Sequence, residues 1–152
     1  IVTSAQNFSR VHLRRPLATC RPAKRREKSS PPMWRFLVTS HFERAKRRYD
    51  KKRPDELAAV LRNLDRLREL LDGLPHCRAA QAGYLHHEPE GLWAIDQKGP
   101  SRTKLQETRL YVFPVDETRA LHIITVGNKN SQASDLRLAG DFVQAFTTSP
   151  RP

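Results

Sequence analysis

A chain of 152 residues has room for one domain with a modest core. Its hydrophobic content of 38% is low, and 28 Lys and Arg against 16 Asp and Glu give a net charge of +12, which suggests a polyanionic partner. Two cysteines, Cys20 and Cys77, exclude a disulfide framework or zinc site and suit a reducing cytoplasm; no window holds the roughly 20 apolar residues a membrane span needs, and residues 1–30 lack the apolar run of a secretory signal.

The charge is uneven. Eight of the basic residues lie in residues 1–32 against the single acid Glu27, so the remainder is only mildly basic. Residues 1–32 carry four prolines and neither helical nor strand periodicity, which reads as a disordered basic tail or an upstream translated segment. Met33 is the only methionine and is the expected natural start of translation. The folded domain is expected over residues 33–146, with a disordered tail over 147–152.

Residues 34–39 (WRFLVT) form a predicted first strand. Ser40 and Glu43 have capping-box spacing, so a helix should begin at Ser40, with Phe42, Ala45 and Tyr49 on one face and Arg44, Lys46, Arg47 and Arg48 mostly on the others. A second helix is the plainest feature. Pro54 suits its first turn, Asp55 and Glu56 favour the positive end of its dipole, and Leu57, Val60, Leu61, Leu64, Leu67, Leu71 and Leu74 recur at steps of three and four. Gly73 and Pro75 should stop it. Periodicity then changes to strands at 92–96, 108–113 and 121–126, with a further one at 83–87. Residues 114–119 form a polar hairpin connection, Gly127 ends the last strand, and Ser131 caps a closing helix with Leu136, Ala139, Val143 and Phe146 on its apolar side. The expected fold is α+β: an N-terminal strand and two helices packed on one face of a curved antiparallel sheet, with a C-terminal helix.

P-loop, GxGxxG, paired CxxC and GxSxG motifs are absent. His86 and His87 with Glu88 and Glu90 could be taken for a metal cluster, but adjacent strand residues face opposite ways and no HExxH spacing exists. A solvated loop is the better reading, and no metal or cofactor is expected. What remains is a set of cations around the sheet: Lys98, Arg102 and Lys104 before the central strand, Arg109 within it, and Lys129 after the last strand. Alternation puts Arg109, Tyr111 and Phe113 on one face, with Leu110 and Val112 on the other. A strand Arg among apolar neighbours needs an anionic partner, either phosphate or a carboxylate such as Glu107 or Asp96. Such a face could bind an RNA backbone and stack a base on Tyr111.

In order, residues 91–99 (GLWAIDQKG), 107–113 (ETRLYVF), 121–132 (LHIITVGNKNSQ) and Asp135-Leu136 resemble toxins of the RelE/ParE superfamily, notably its phage-derived HigB-like branch. The likeness in element order covers residues 34–146, and the residue matches are confined to 91–136. The resemblance implies a cytoplasmic type II toxin that enters the ribosomal decoding site and cleaves mRNA without a metal or cofactor. Its implied partners are the ribosome, mRNA and a cognate antitoxin of helix-turn-helix type, with no membrane. Under it, Arg109 would stabilise the phosphate, Lys129 would share that role or protonate the leaving oxygen, Tyr111 would orient the hydroxyl or the base, and Lys98, Arg102 and Lys104 would bind RNA. Relatives often carry a Tyr in the closing helix where this chain reads ASDLR over 133–137, so the general base stays unassigned. Asp135 is open as base or as helix cap, and His122 as catalytic or buried. The same fold hosts inhibitors that bind DNA gyrase, and an inactive phage-derived relic is a further alternative.

Overall fold

The structure, a computed structural model, describes residues 32–98 and 108–150. The expected segment 1–32 falls outside these except for Pro32, as do Arg102, Lys104 and Glu107. The described elements are β1 (Arg35–Val38), α1 (Ser40–Lys52), α2 (Pro54–Asp72), β2 (Leu85–His87), β3 (Trp93–Asp96), β4 (Thr108–Val115), β5 (Ala120–Asn128) and α3 (Gln132–Thr148). Among the described residues no helix is long and apolar enough to cross a membrane.

The cap of α1 is Thr39, one residue before the expected Ser40. Its hydroxyl accepts a hydrogen bond from the Phe42 N–H at 3.2 Å and donates to the Ile124 carbonyl at 2.7 Å. Ser40 is already helical, whereas Thr39 keeps the extended backbone a cap requires. The two helices are separated at Arg53, which leaves helical geometry because the Pro54 ring crowds the residue before it. Along α2 the stripe Leu57, Val60, Leu64, Leu67 and Leu71 is buried as its spacing predicts.

The five strands form one open sheet in the order β1-β5-β4-β3-β2. The expected antiparallel sheet is in fact mixed, because β1 lies parallel to β5 with Phe36 opposite Leu121. The two strands are joined through residues 39–119, which hold α1, α2 and the strands β2 to β4, so no tight turn imposes an antiparallel pair.

The helices do not share one face of the sheet. One core joins Trp34, Phe42, Leu64 and Leu67 to Ile95, Leu110, Val112 and Ile123. A second core, on the other face, joins Leu92, Ala94, Tyr111 and Ile124 to Ala139 and Val143 of α3. Residues 121–126 are apolar almost throughout because β5 is covered on both sides. A bulge between Tyr111 and Val112 skips Ile124 in the pairing, which turns Ile124 toward α3 while Ile123 stays in the first core.

The α3 helix runs to Thr148, two residues past its expected end. The hydroxyls of Thr147 and Thr148 donate to the carbonyls of Val143 and Gln144, which extends the last turn. At the opposite end of the sheet from Arg109, His122 packs against Phe142 and Phe146 with ring centroids 5.5 and 4.9 Å away. His122 is thus a packing residue of the α3 interface.

Burial lowers the His122 pKa below its ordinary 6.5, so folding favours the neutral ring. The unfolded chain then binds the proton more readily, and stability is lost as pH falls through 6.5 toward the folded value. Denaturant titrations at a series of pH values should show His122→Phe gaining on wild type as pH falls below 6.5. Parallel pH dependences would contradict this account.

Candidate functional site

Beside α3, on the same face of the sheet, lies a patch in which the side chains of His86 and Arg109 are partly exposed. The strand register sets its floor. Asp96 lies opposite Arg109, which lies opposite Gly127, and one row along His86, Ala94, Tyr111 and Thr125 follow across the sheet. Residues opposite one another share a face, so His86, Asp96, Arg109 and Gly127 all belong to the α3 side.

Two buried side chains of α2 set the ends of the segment between β3 and β4. Asn63 donates to the carbonyls of Asp96 at 2.8 Å and Lys98 at 2.9 Å, and the Thr108 hydroxyl donates to the Glu56 carboxylate. Glu56, expected only as a helix-dipole residue, is therefore also a buried anchor.

The Arg109 side chain is 24% exposed, and its guanidinium lies 3.9 Å from the Glu88 carboxylate. Neither expected carboxylate is recorded as its ion-pair partner. Glu107 lies outside the described residues, and Asp96 is engaged by other groups. One Asp96 oxygen accepts from the Lys98 backbone N–H at 2.9 Å; the other meets His86 Nε2 at 2.8 Å and Lys98 Nζ at 3.5 Å. Both histidines lie in β2, within the strand expected over 83–87, whereas Glu88 and Glu90 of the expected solvated loop follow it. His86 faces Asp96, while His87 turns to the opposite face and meets Trp93 edge-on at 5.3 Å. The His86–Asp96 pair was missed because ten residues separate its members and only the β2–β3 register brings them together.

Tyr111 is not a stacking platform for a base. It is 1% exposed and packs among Leu92, Ile124, Ala139 and Val143 under α3. Its hydroxyl makes no well-formed hydrogen bond among the described residues, but it faces the Arg109 guanidinium, whose polar contact favours the phenolate. Burial pushes the phenol up to about 12; the nearby Arg109 charge opposes this, while Asp135 and Glu88 add to it. Lys98 and Lys129 are exposed, and Lys129 sits in the turn two residues past Gly127, the strand partner of Arg109.

The same turn seats the first turn of α3. Ser131 Oγ donates to the Asp135 carboxylate at 2.6 Å and accepts from the Asn128 N–H at 3.0 Å. Gly127 is required there, because a Cβ at this position would collide with Asp135. Burial raises the Asp135 pKa, opposed by the Ser131 hydrogen bond and the Arg48 charge. Beside this turn opens a cleft of about 560 Å³, where Arg48, Lys52 and Arg53 from the end of α1 face Asn128, Ser131 and Asp135. It adds three cations to the region, of which the sequence pattern had shown Arg48 as part of the polar side of a helix.

The patch thus offers a cation that can hold phosphate, a histidine ordered by a carboxylate, and lysines at the rim. Comparison with protein-family models, curated proteins and solved structures finds no match to this chain.

Tyr111→Phe removes a buried hydroxyl whose contact with Arg109 is not a well-formed hydrogen bond, so stability at neutral pH should be unchanged or higher. Since folding holds the phenol neutral, stability falls as pH climbs from the ordinary 10.0 toward about 12, and the variant should lose part of that fall. Urea melts at neutral and alkaline pH test both statements; a clear loss of stability at neutral pH would mean that the hydroxyl has a partner.

Proposed function

We propose that this chain is a RelE/ParE-like toxin: a cytoplasmic, metal-independent endoribonuclease that cleaves mRNA on the ribosome and is neutralised by a cognate antitoxin of helix-turn-helix type. The observation that carries this reading is Arg109. Its guanidinium is partly exposed on the α3 side of the sheet, lies 3.9 Å from the Glu88 carboxylate with the Tyr111 hydroxyl beside it, and has exposed Lys98 and Lys129 near its ends of the strands. A phosphate can displace a carboxylate at 3.9 Å and gain a closer, charge-assisted contact.

In RNA cleavage the ribose 2′-hydroxyl attacks the adjacent phosphorus, and negative charge builds on the phosphate oxygens. Fixed cations beside those oxygens lower the barrier without reorganising at the moment of reaction. Arg109 performs this task, with Lys129 assisting from the turn. Lys98, together with Arg102 and Lys104 as the family resemblance assigns them, holds the RNA backbone, and the α1 cations Arg48 and Lys52 extend the basic surface beyond the patch.

The test is induced expression of the whole chain beside an Arg109→Ala plus Lys129→Ala variant shown to melt like wild type. Translation is followed by pulse labelling, and mRNA cleavage is measured with purified ribosomes. Wild type should arrest growth and halt translation, and the variant should cleave about 10²–10³-fold more slowly. Equal harmlessness of the two chains, or equal toxicity with translation intact, would overturn the proposal. Inhibition of gyrase supercoiling by both chains would redirect it to a protein target.

A further inference from the structure

Arg109 and the lysines supply charge, but cleavage at a 2′-hydroxyl also requires a group that takes its proton. We propose that His86, oriented by Asp96, is that general base; this rests on the nuclease reading above.

The geometry begins in β2, where alternation separates His86 from His87. His86 falls on the open face and belongs to the same patch as Arg109, whose strand partner is Asp96. Glu88 follows two residues after His86, and its ion pair draws the Arg109 guanidinium toward the β2 side of the patch. A phosphate held by Arg109 therefore lies over the ground that His86 borders.

Asp96 is only 5% exposed, while the His86 side chain is 36% exposed. The carboxylate accepts the Lys98 N–H at 2.9 Å and lies 3.5 Å from the Lys98 ammonium. A carboxylate can only accept, so the His86 hydrogen bond at 2.8 Å requires the proton on Nε2. The lone pair is then on Nδ1, which has no hydrogen-bond partner among the described residues and is the ring's free basic nitrogen. Asp96 is a positioning residue that selects the tautomer and stabilises the imidazolium. Among the described residues the ring meets the Asp96 carboxylate, which Lys98 shares, and the Arg109–Glu88 pair lies on the same face of the sheet.

His86 Nδ1 takes the proton of the 2′-hydroxyl, O2′ forms a bond to phosphorus, and the P–O5′ bond breaks. The departing O5′ takes a proton from water, and the imidazolium later returns its own proton to solvent. The products are a 2′,3′-cyclic phosphate and a 5′-hydroxyl, so the substrate must be RNA at the cleaved nucleotide.

The experiment measures single-turnover cleavage of ribosome-bound mRNA by wild type, His86→Gln and Asp96→Asn, with product ends identified and ribosome binding measured separately. His86→Gln should cleave about 10²–10⁴-fold more slowly and bind ribosomes like wild type. Asp96→Asn should lose less, with its deficit in kcat rather than KM and a shifted pH–rate profile. Thermal melts establish that each variant is folded; because Asp96 is buried, the exposed His86→Gln decides the matter if Asp96→Asn unfolds. A 2′-deoxy substitution at the cleaved nucleotide should abolish cutting by wild type. Wild-type cleavage that His86→Gln leaves unchanged would overturn the role of His86 while the nuclease reading stands. A folded wild type that cuts no mRNA would overturn both.

Discussion

The structure depends on β4 and β5 being apolar on both faces. A strand pair with only one apolar face can leave the other to water, whereas this pair must be covered twice. The α1–α2 pair covers one side through Phe42, Leu64 and Leu67, and α3 covers the other through Ala139 and Val143. Two local devices adjust the fit. The bulge at Tyr111/Val112 assigns Ile123 and Ile124 to different cores, and the missing side chain of Gly127 lets the first turn of α3 approach β5. The candidate patch with Arg109 and His86 lies on the same face as this second cover, beside α3.

Within the patch, opposite charges are arranged so that no carboxylate among the described residues fully occupies Arg109. Asp96 faces it across the strands but is engaged by His86 and Lys98, and Glu88 stands at ion-pair rather than hydrogen-bond distance. The α2 side chains Asn63 and Glu56 anchor the flanks of the segment between β3 and β4, so polar contacts through the sheet edge tie the site to the main core. Tyr111 lies beneath Arg109 as part of the α3 interface, and its buried phenol remains neutral over the physiological pH range. Cations from α1 and the β5–α3 turn surround this arrangement, giving a charged rim around a more balanced centre.

Much of the fold was legible because its signals are local. The leucine period marked α2, the β-branched runs marked β3 to β5, and residues 83–87 did contain a strand. Element ends shifted where a neighbouring hydroxyl was the better partner, as at Thr39 and at Thr147 and Thr148. The parallel pairing of β1 and the placement of α3 on the opposite face were missed, because alternation within a strand does not say which helix covers which face. At the site, Arg109, Lys98 and Lys129 could be picked out as cations near strand ends. The His86–Asp96 pair could not, since it exists only through the pairing of two strands.

By itself, the sequence determined the α+β element order, the leucine face of α2 and the cations around the central strand, because backbone propensity and side-chain period act over a few residues. Tertiary structure alone decided the mixed sheet, the burial of Tyr111, the pairing of Arg109 with Glu88 rather than Asp96, and the union of His86 with Asp96. These outcomes depend on strand register and on which face each helix covers. Both are set by burying apolar surface from distant segments together, and that constraint is nonlocal.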